Sequence, residues 1–344
     1  MRSSIATLLI LSLFIIGLPA VCGAIPLSVP DESTVEYPDD EPPSQEEIEL
    51  GKMLFFDNRL SINMSQSCAT CHNPDLGFGD GMKVSIGAKG EKTGRNAPHI
   101  YNLAWNHVFF WDGRAASLED QAVGPIVSGA EMNMPLEVLV ARLKTVPEYI
   151  AKFEALYGKD SITEKNIARA ITAFERTVVV KNTPFDKYLR GDQDALGPEA
   201  KRGLALFEGK ANCIKCHDGP HLTDSSFHNI GVQAEDAGRS KILEGPGMNR
   251  AFKTPGLRNV ILTAPYMHDG SLATLDDVVR FYNRGGDHKE GLDPLIQPLN
   301  LTEREISDLL AFLGALTEPL EIVRPSLPTG GDMTIPQEQP PVKE

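Results

Sequence analysis

Cys68-Ala-Thr-Cys71-His72 constrains this chain more than any other stretch, because it ties two thiols and an imidazole into five consecutive residues. Two cysteines three apart, followed at once by a histidine, form the attachment signature of a c-type haem: the thiols take the vinyl groups and the histidine becomes the proximal iron ligand. The pattern returns as Cys213-Ile-Lys-Cys216-His217, and a motif fixing three positions does not recur by chance in 344 residues. A zinc site or a redox dithiol would also use paired cysteines, but neither needs the adjoining histidine or accounts for the repeat.

The chain is long enough for two buried cores. Its N-terminus carries Arg2, an apolar run from Ile5 to Leu18 and small residues ending Cys22-Gly23-Ala24, which is the layout of an export signal peptide. Cleavage after Ala24 would remove Cys22 and leave four cysteines, all inside the two motifs. A lipid anchor on Cys22 is the alternative, disfavoured by the bulk of Val21 before it. Export to the periplasm suits a chain whose haem is attached outside the cytoplasm. The net charge of -14 argues against a nucleic-acid partner and suits a basic or dipolar redox protein.

The sequence divides into a signal peptide (1–24), a flexible linker rich in Pro and acids (25–43), two cytochrome c domains (44–185 and 186–318) and a mobile Pro-rich tail (319–344). Ser44 and Glu47 form a capping-box pattern ahead of Ile48, Leu50, Leu54 and Phe55. Gly51-Lys-Met-Leu54-Phe55 is echoed by Gly203-Leu-Ala-Leu206-Phe207, each just upstream of a haem motif, so a helix and its haem-binding turn are duplicated. Ser161 and Glu164 frame another capping box, with Ile167, Ile171, Phe174 and Val178 following at helical spacing. A last helix is expected from Thr302-x-x-Glu305, with Ile306, Leu309, Leu310, Leu313 and Leu316 on one face. No segment sustains strand alternation. The fold class is therefore mainly α, as two cytochrome c-like domains, each with one covalent c-type haem.

Four further stretches carry a resemblance: Arg95-Asn-Ala-Pro98, Phe110-Trp-Asp-Gly-Arg114, Gly124-Pro125 with Glu131-Met132, and Leu262-Thr-Ala-Pro-Tyr-Met-His-Asp-Gly270. Through these the chain, over roughly residues 45 to 318, resembles the bacterial di-haem cytochrome c peroxidases and their MauG branch. The resemblance implies that the N-terminal domain holds the peroxide-reactive haem and the C-terminal domain an electron-transfer haem. It places Trp111 between them, and Gln121, Pro125 and Glu131 over the reactive iron. Peroxide cleavage needs an open iron position, a base to move a proton between the two oxygens, and a polar partner for them; Glu131 and Gln121 suit the last two roles. The resemblance also implies one calcium ion held by the Asn96 side chain and the carbonyls of Thr263 and Pro265, a small oxygen set compatible with Ca²⁺.

Two departures concern the iron ligands. Many of these peroxidases carry a histidine where Ala88 stands, and that histidine closes the first iron until the second haem is reduced; Ala88 implies an open first haem. His99 and His107 read as structural histidines. Tyr282 stands where the peroxidases place a methionine on the second iron and where MauG-type proteins have tyrosine, with Met267 and Met248 as competing ligands. A phenolate favours higher iron oxidation states and a thioether favours Fe(II). The leading reading is an exported di-haem peroxidase that reduces hydrogen peroxide with electrons relayed through Trp111 from a small redox donor, a cytochrome c or a cupredoxin. A MauG-like enzyme that oxidises a partner protein, a di-haem electron carrier and a haem-based sensor are the alternatives. A homodimer is compatible with the sequence, which does not fix the oligomeric state.

Overall fold

The computed structural model describes residues 24–331. The expected signal peptide, up to residue 23, and the chain beyond 331 lie outside them. The fold is mainly helical: α1 (Gln45–Phe56), α2 (Cys68–Cys71), α3 (Leu118–Val127), α4 (Leu136–Leu143), α5 (Pro147–Tyr157), α6 (Glu164–Glu175), α7 (Pro184–Leu189), α8 (Pro198–Glu208), α9 (Leu275–Asn283) and α10 (Glu303–Gly314). Two short strands, β1 (Phe227–His228) and β2 (Phe252–Lys253), pair antiparallel. No helix among the described residues is long and apolar enough to cross a membrane.

Two buried clusters organise these helices. One runs from Leu50 to Val180 and is built on α1 crossing α6; the other runs from Phe185 to Leu316 and is built on α8 crossing α10. The duplicated glycines explain why the same crossing forms twice. A Cβ on Gly51 would lie 1.7 Å from the Ala170 carbonyl oxygen, and one on Gly203 would lie 2.0 Å from that of Asp308. At both crossings the backbones approach too closely for any side chain. Each crossing is then filled by an aromatic pair of equal spacing, with ring centroids 5.1 Å apart for Phe55–Phe174 and for Phe207–Phe312. Such edge-to-face pairs contribute about 0.5–1.5 kcal/mol beyond the area they bury.

A second repeat escaped the sequence reading. Asn102 and Asn259 both adopt left-handed backbone, at φ 56° and 59°. Their side chains tie the loop after each haem motif to the segment that leaves its closing helix: Asn102 exchanges hydrogen bonds with Val180, and Asn259 with Glu318. Asparagine tolerates this conformation because its short amide bonds locally.

Helix starts agree with the capping expectations at two of three places. Thr302 and Glu305 cap each other reciprocally, whereas at Ser44 only half of the expected box forms: Ser44 accepts from the Glu47 N–H, and the Glu47 carboxylate accepts from Tyr157 and Arg169 instead. The third is corrected. Thr163, in extended backbone, caps α6 by accepting from the Asn166 N–H, whereas the Ser161 carbonyl serves the Asn166 side chain.

The linker and tail expectations are also corrected, since both segments are docked where they are described. In the linker, Ile25 donates its N–H to Asp218, Leu27 packs on the second cluster, and Asp39 pairs with Arg169. After Pro319 the chain turns back over the first unit, where Leu320 and Ile322 join its core. Arg59 there donates to the carbonyls of Pro328 and Gly330. The first of these straps is thus docked on both units and the second on the first unit, and the Pro-rich composition of the second is no obstacle because its Pro328 and Gly330 offer carbonyls rather than N–H groups.

Candidate functional site

Each cysteine motif forms the floor of a cavity. The first cavity, of about 640 Å³, is lined by Cys68, Cys71 and His72 together with Trp111, Gln121, Pro125 and Glu131. The second, of about 190 Å³, is lined by Cys213, Cys216 and His217 with Trp111, Met267 and Tyr282. The sequence-derived residues therefore sort into two groups, and Trp111 is common to both. Met248 lines neither cavity.

The two floors share one geometry. His72 Nδ1 lies 3.2 Å from the Phe78 carbonyl oxygen, and His217 Nδ1 lies 3.0 Å from that of Leu222. A ring nitrogen engaged by a carbonyl is the protonated one, so Nε2 is left with its lone pair for a metal. Burial lowers the pKa of both imidazoles and keeps them neutral, which is the ligating form. The four thiols are unpaired. Burial raises the pKa of Cys68, Cys71 and Cys213, the last to about 12, the opposite of what a redox dithiol needs. Nor do the motifs gather a zinc set. Among the described residues the one three-residue metal grouping is Cys216, Asp224 and His228, which leaves out His217 and the other cysteine. Two thiols and a neutral imidazole at the edge of a cavity suit a covalently held haem in both places.

Above the first floor, α3 sets the distal groups. Ser117 caps the helix, and Gln121 and Pro125, four residues apart, share one face. Glu131 follows in a loop fixed from both sides: its N–H donates to the Ser128 carbonyl, and its own carbonyl accepts from Ala88 N–H at 2.6 Å. Gly87 permits that contact, since a Cβ there would lie 2.0 Å from the Ala130 carbonyl oxygen. The Ala88 loop thus braces Glu131 and brings no imidazole to the cavity. His99 does line it, but Nε2 meets the Gly256 carbonyl and Nδ1 accepts from Tyr101 N–H. Burial pushes His99 down to about 4, in keeping with a structural role. His221 also lines the first cavity, stacked on Trp105 with centroids 4.4 Å apart.

Trp111 is held at the boundary of the cavities by its indole N–H, which donates to the Asn96 carbonyl at 2.9 Å, and by its own carbonyl, which accepts from Lys253 N–H at 2.8 Å. The next residue, Asp112, pairs with Arg95 and Arg114. Asn96 gives its side-chain N–H to the carbonyls of Met82 and Lys83, and its backbone N–H to the His268 carbonyl. Its amide oxygen is the atom left to offer an ion, beside the loop that carries Thr263 and Pro265.

In the second cavity Tyr282, on α9, has its phenol pushed well above the ordinary value, chiefly by burial. An ionised phenolate there needs a cation beside it. His268 stacks on Phe252 at 3.6 Å. His228 is clamped between Asp224 and Asp293, and the Asp224 hydrogen bond leads in raising it to about 11. The sequence reading missed two cavity residues. Glu175 ends α6 at 4% exposure with one carboxyl oxygen unpartnered, and burial pushes it up to about 8. Its signal was present: it falls on the apolar face, four residues after Ile171. Lys253 lines both cavities and left no signal in the sequence.

The model of the family described as di-haem cytochrome c peroxidase matches residues 45–194. The methylamine utilization protein MauG of Methylorubrum extorquens is 45% identical, over 86% of this chain and 85% of that one. The cytochrome c551 peroxidase of Nitrosomonas europaea is 37% identical, over 87% and 88%. Among solved structures, a MauG-like protein associated with microbial copper homeostasis superposes with a TM-score of 0.78 at 34% identity, covering 89% of this chain and 96% of that one.

Proposed function

The chain belongs to the di-haem cytochrome c peroxidase and MauG family, and from that premise we propose that the cavity above His72 is where hydrogen peroxide reacts and the cavity above His217 is where electrons are stored and relayed. Membership makes the protein an oxidoreductase of the cytochrome c peroxidase type and implies two haem c groups and a redox or protein partner. Cys68 and Cys71 would hold one haem with His72 as its ligand, and Cys213 and Cys216 the other with His217, so that 44–185 and 186–318 act as two cytochrome c domains. The observation that carries the assignment is that Gln121, Pro125 and Glu131 line the larger cavity with His72, while Tyr282 lines the smaller with His217.

A bound haem would supply the iron and the electrons for cleaving the peroxide bond. The protein supplies the proton handling. Glu131, braced by Ala88 and Ser128, takes a proton from the inner peroxide oxygen and returns it to the outer one, from which water leaves. Gln121 donates its amide N–H to the oxygens and holds them in register. Pro125, on the same face of α3, has no N–H to compete for them and keeps that side apolar. Trp111 offers an indole in contact with both cavities as the relay.

Tyr282 favours the MauG-like use of this machinery. Its buried phenol would become a phenolate where iron provides the cation, and that donor would suit a second haem that, once oxidised, takes electrons from a protein substrate rather than resting as Fe(II). Met267 lines the same cavity as the competing thioether. A calcium ion on Asn96, Thr263 and Pro265 would tie the Trp111 loop to the second unit. Export to the periplasm accompanies the haem attachment.

Mixing the oxidised holoprotein with peroxide in a stopped-flow spectrometer, alongside electron paramagnetic resonance of the resting state, tests the assignment. One high-spin and one low-spin haem, reacting without prior reduction, is the expected result. Two low-spin haems that stay inert until one electron is added would overturn it.

A further inference from the structure

Among the described residues that line both cavities, Lys253 is the one that carries a charge, and no carboxylate forms an ion pair with it. It ends β2, where its backbone N–H donates to the Trp111 carbonyl, so its Cα is fixed against the relay residue. With Trp111 and Pro255 it lines both cavities. Among the described residues its ammonium finds only the Thr254 carbonyl, at 3.4 Å.

The other cations around the first cavity already have carboxylates. Arg95 holds Asp112 and Asp236, Arg114 holds Asp112, Lys241 holds Asp236, and Arg258 holds Asp186. Among the described residues around the second cavity, Lys253 is the sole lysine or arginine, and His228 is committed to two aspartates. Burial pushes the Lys253 ammonium down to about 8, only partly opposed by the charge of Asp224. A cation withdrawn from water is costly unless an anion meets it. The anions that would enter these cavities are carboxylates, since each haem carries two propionates.

We propose that the Lys253 ammonium is the shared counter-cation for a propionate of each haem, which makes it a positioning residue that couples the two redox centres. The inference rests on the two-haem reading above. A positive charge near a haem disfavours the more positive, oxidised iron, so Lys253 raises both reduction potentials. Because it sits between the cavities, oxidation of one haem weakens its own share of that cation and strengthens the other's.

The test is spectroelectrochemical titration of the holoprotein and of Lys253→Met, with haem content measured first. Two haems per chain in the wild type establish the reading on which the inference depends; fewer would defeat that reading and this inference with it. With two haems present, Lys253→Met should lower both potentials, each by about 59 mV, the equivalent of a tenfold change in a one-electron equilibrium. Lys253→Arg should restore both. Lys241→Met, which removes a charge already paired with Asp236, should move neither by a comparable amount. Potentials unchanged in Lys253→Met, or a shift confined to one haem, would overturn the shared counter-cation while leaving the family assignment intact. If Lys253→Met fails to take up haem, Lys253→Gln and Lys253→Arg are read instead, and equal potentials in those two would overturn it as well.

Discussion

Around Cys68 and His72 the cavity measures about 640 Å³ and its lining includes Arg95, Asp112, Glu131 and Glu175; around Cys213 and His217 it measures about 190 Å³ and is walled mainly by groups such as Phe207, Phe252, Leu309 and Leu313. Below those walls the two halves repeat each other: a glycine at the helix crossing, an aromatic pair, a histidine held by a backbone carbonyl, and a left-handed asparagine. The repeated parts support a haem and carry no information about its job. The job comes from what was added to each copy. The first received α3 to α5 between its motif and its closing helix, and with them a roomy, charged vault. The second received the loop from Asp224 to Gly270 and a tyrosine on α9, which leave a narrow apolar slot. Substrate chemistry needs polar groups and space, whereas electron storage needs neither.

The sharpest way to break that contrast is at Glu131. If only the first cavity handles protons, Glu131→Gln should keep both haems and slow the reaction with peroxide by roughly 10² to 10⁴, the range for a positioned acid-base group. Stopped-flow rates at several peroxide concentrations measure this. A retained rate would mean that the polar vault does not distinguish the two sites.

Next in size is Glu175, a buried acid in the first cavity with no counterpart among the residues lining the second. Its carboxyl is pushed up to about 8 from 4.5, chiefly by burial. The unfolded chain ionises near 4.5 while the folded one keeps its proton to about 8. Folding therefore takes up a proton between those values, and stability falls as pH rises through that window and then levels off. Glu175→Gln removes the penalty and should be more stable than the wild type by about 3 kcal/mol at pH 7, from roughly 1.4 kcal/mol for each pH unit above 4.5. Near pH 5 the gap should shrink to under about 1 kcal/mol. Urea denaturation at pH 5 and pH 8 measures the gap, and parallel stabilities would show that Glu175 reaches water when the haem is in place.

Tyr282 sharpens the other side of the comparison. If Tyr282 is the donor to the second iron, Tyr282→Met would exchange an anionic oxygen for a neutral thioether and should raise the second potential by at least about 59 mV, a tenfold shift in the equilibrium toward Fe(II). The first potential should change much less. An unmoved second potential would return the ligand position to Met267, which lines the same slot.

How much of this was legible in the sequence follows from the range of the interactions involved. The haem motifs, the apolar faces of α6 and α10 and the caps at Ser44 and Thr302 are local patterns, and all were readable. The Ser161 expectation failed although its spacing was right, because Thr163 two residues later offers the same hydroxyl in the extended backbone that a cap requires. Lys253 and the Asn102 and Asn259 ties act on groups far away in the sequence, so nothing beside them marks their purpose. The Gln121, Glu131 and Tyr282 positions came from family resemblance, since a lone amide, carboxylate or phenol carries no pattern of its own. The straps were misread for a related reason. Their composition describes a chain that cannot form a helix, and says nothing of the carbonyls it can lend to Arg59.

The smallest effect should come from the strap over the first unit, where two arginines make contrasting contacts. Arg324 pairs with Asp75 at 2.6 Å and lies 5.7 Å from the Phe56 ring, with both charged side chains more than half exposed. Exposed ion pairs contribute about 0–1 kcal/mol, so Arg324→Ala should lower stability by under about 1 kcal/mol. At roughly 1 M salt, where screening acts within about 3 Å, most of even that difference should vanish. Arg59 is the opposite case. It is buried against Asp57 and spends its other nitrogen on two strap carbonyls. Its loss would leave the Asp57 carboxylate without its cation and the Pro328 and Gly330 carbonyls without their donor. Thermal unfolding of Arg324→Ala at low and high salt checks the distinction. A salt-insensitive loss above about 2 kcal/mol would mean that the strap is anchored at Arg324, and that its apolar docking through Leu320 and Ile322 contributes less than their place in the first core implies.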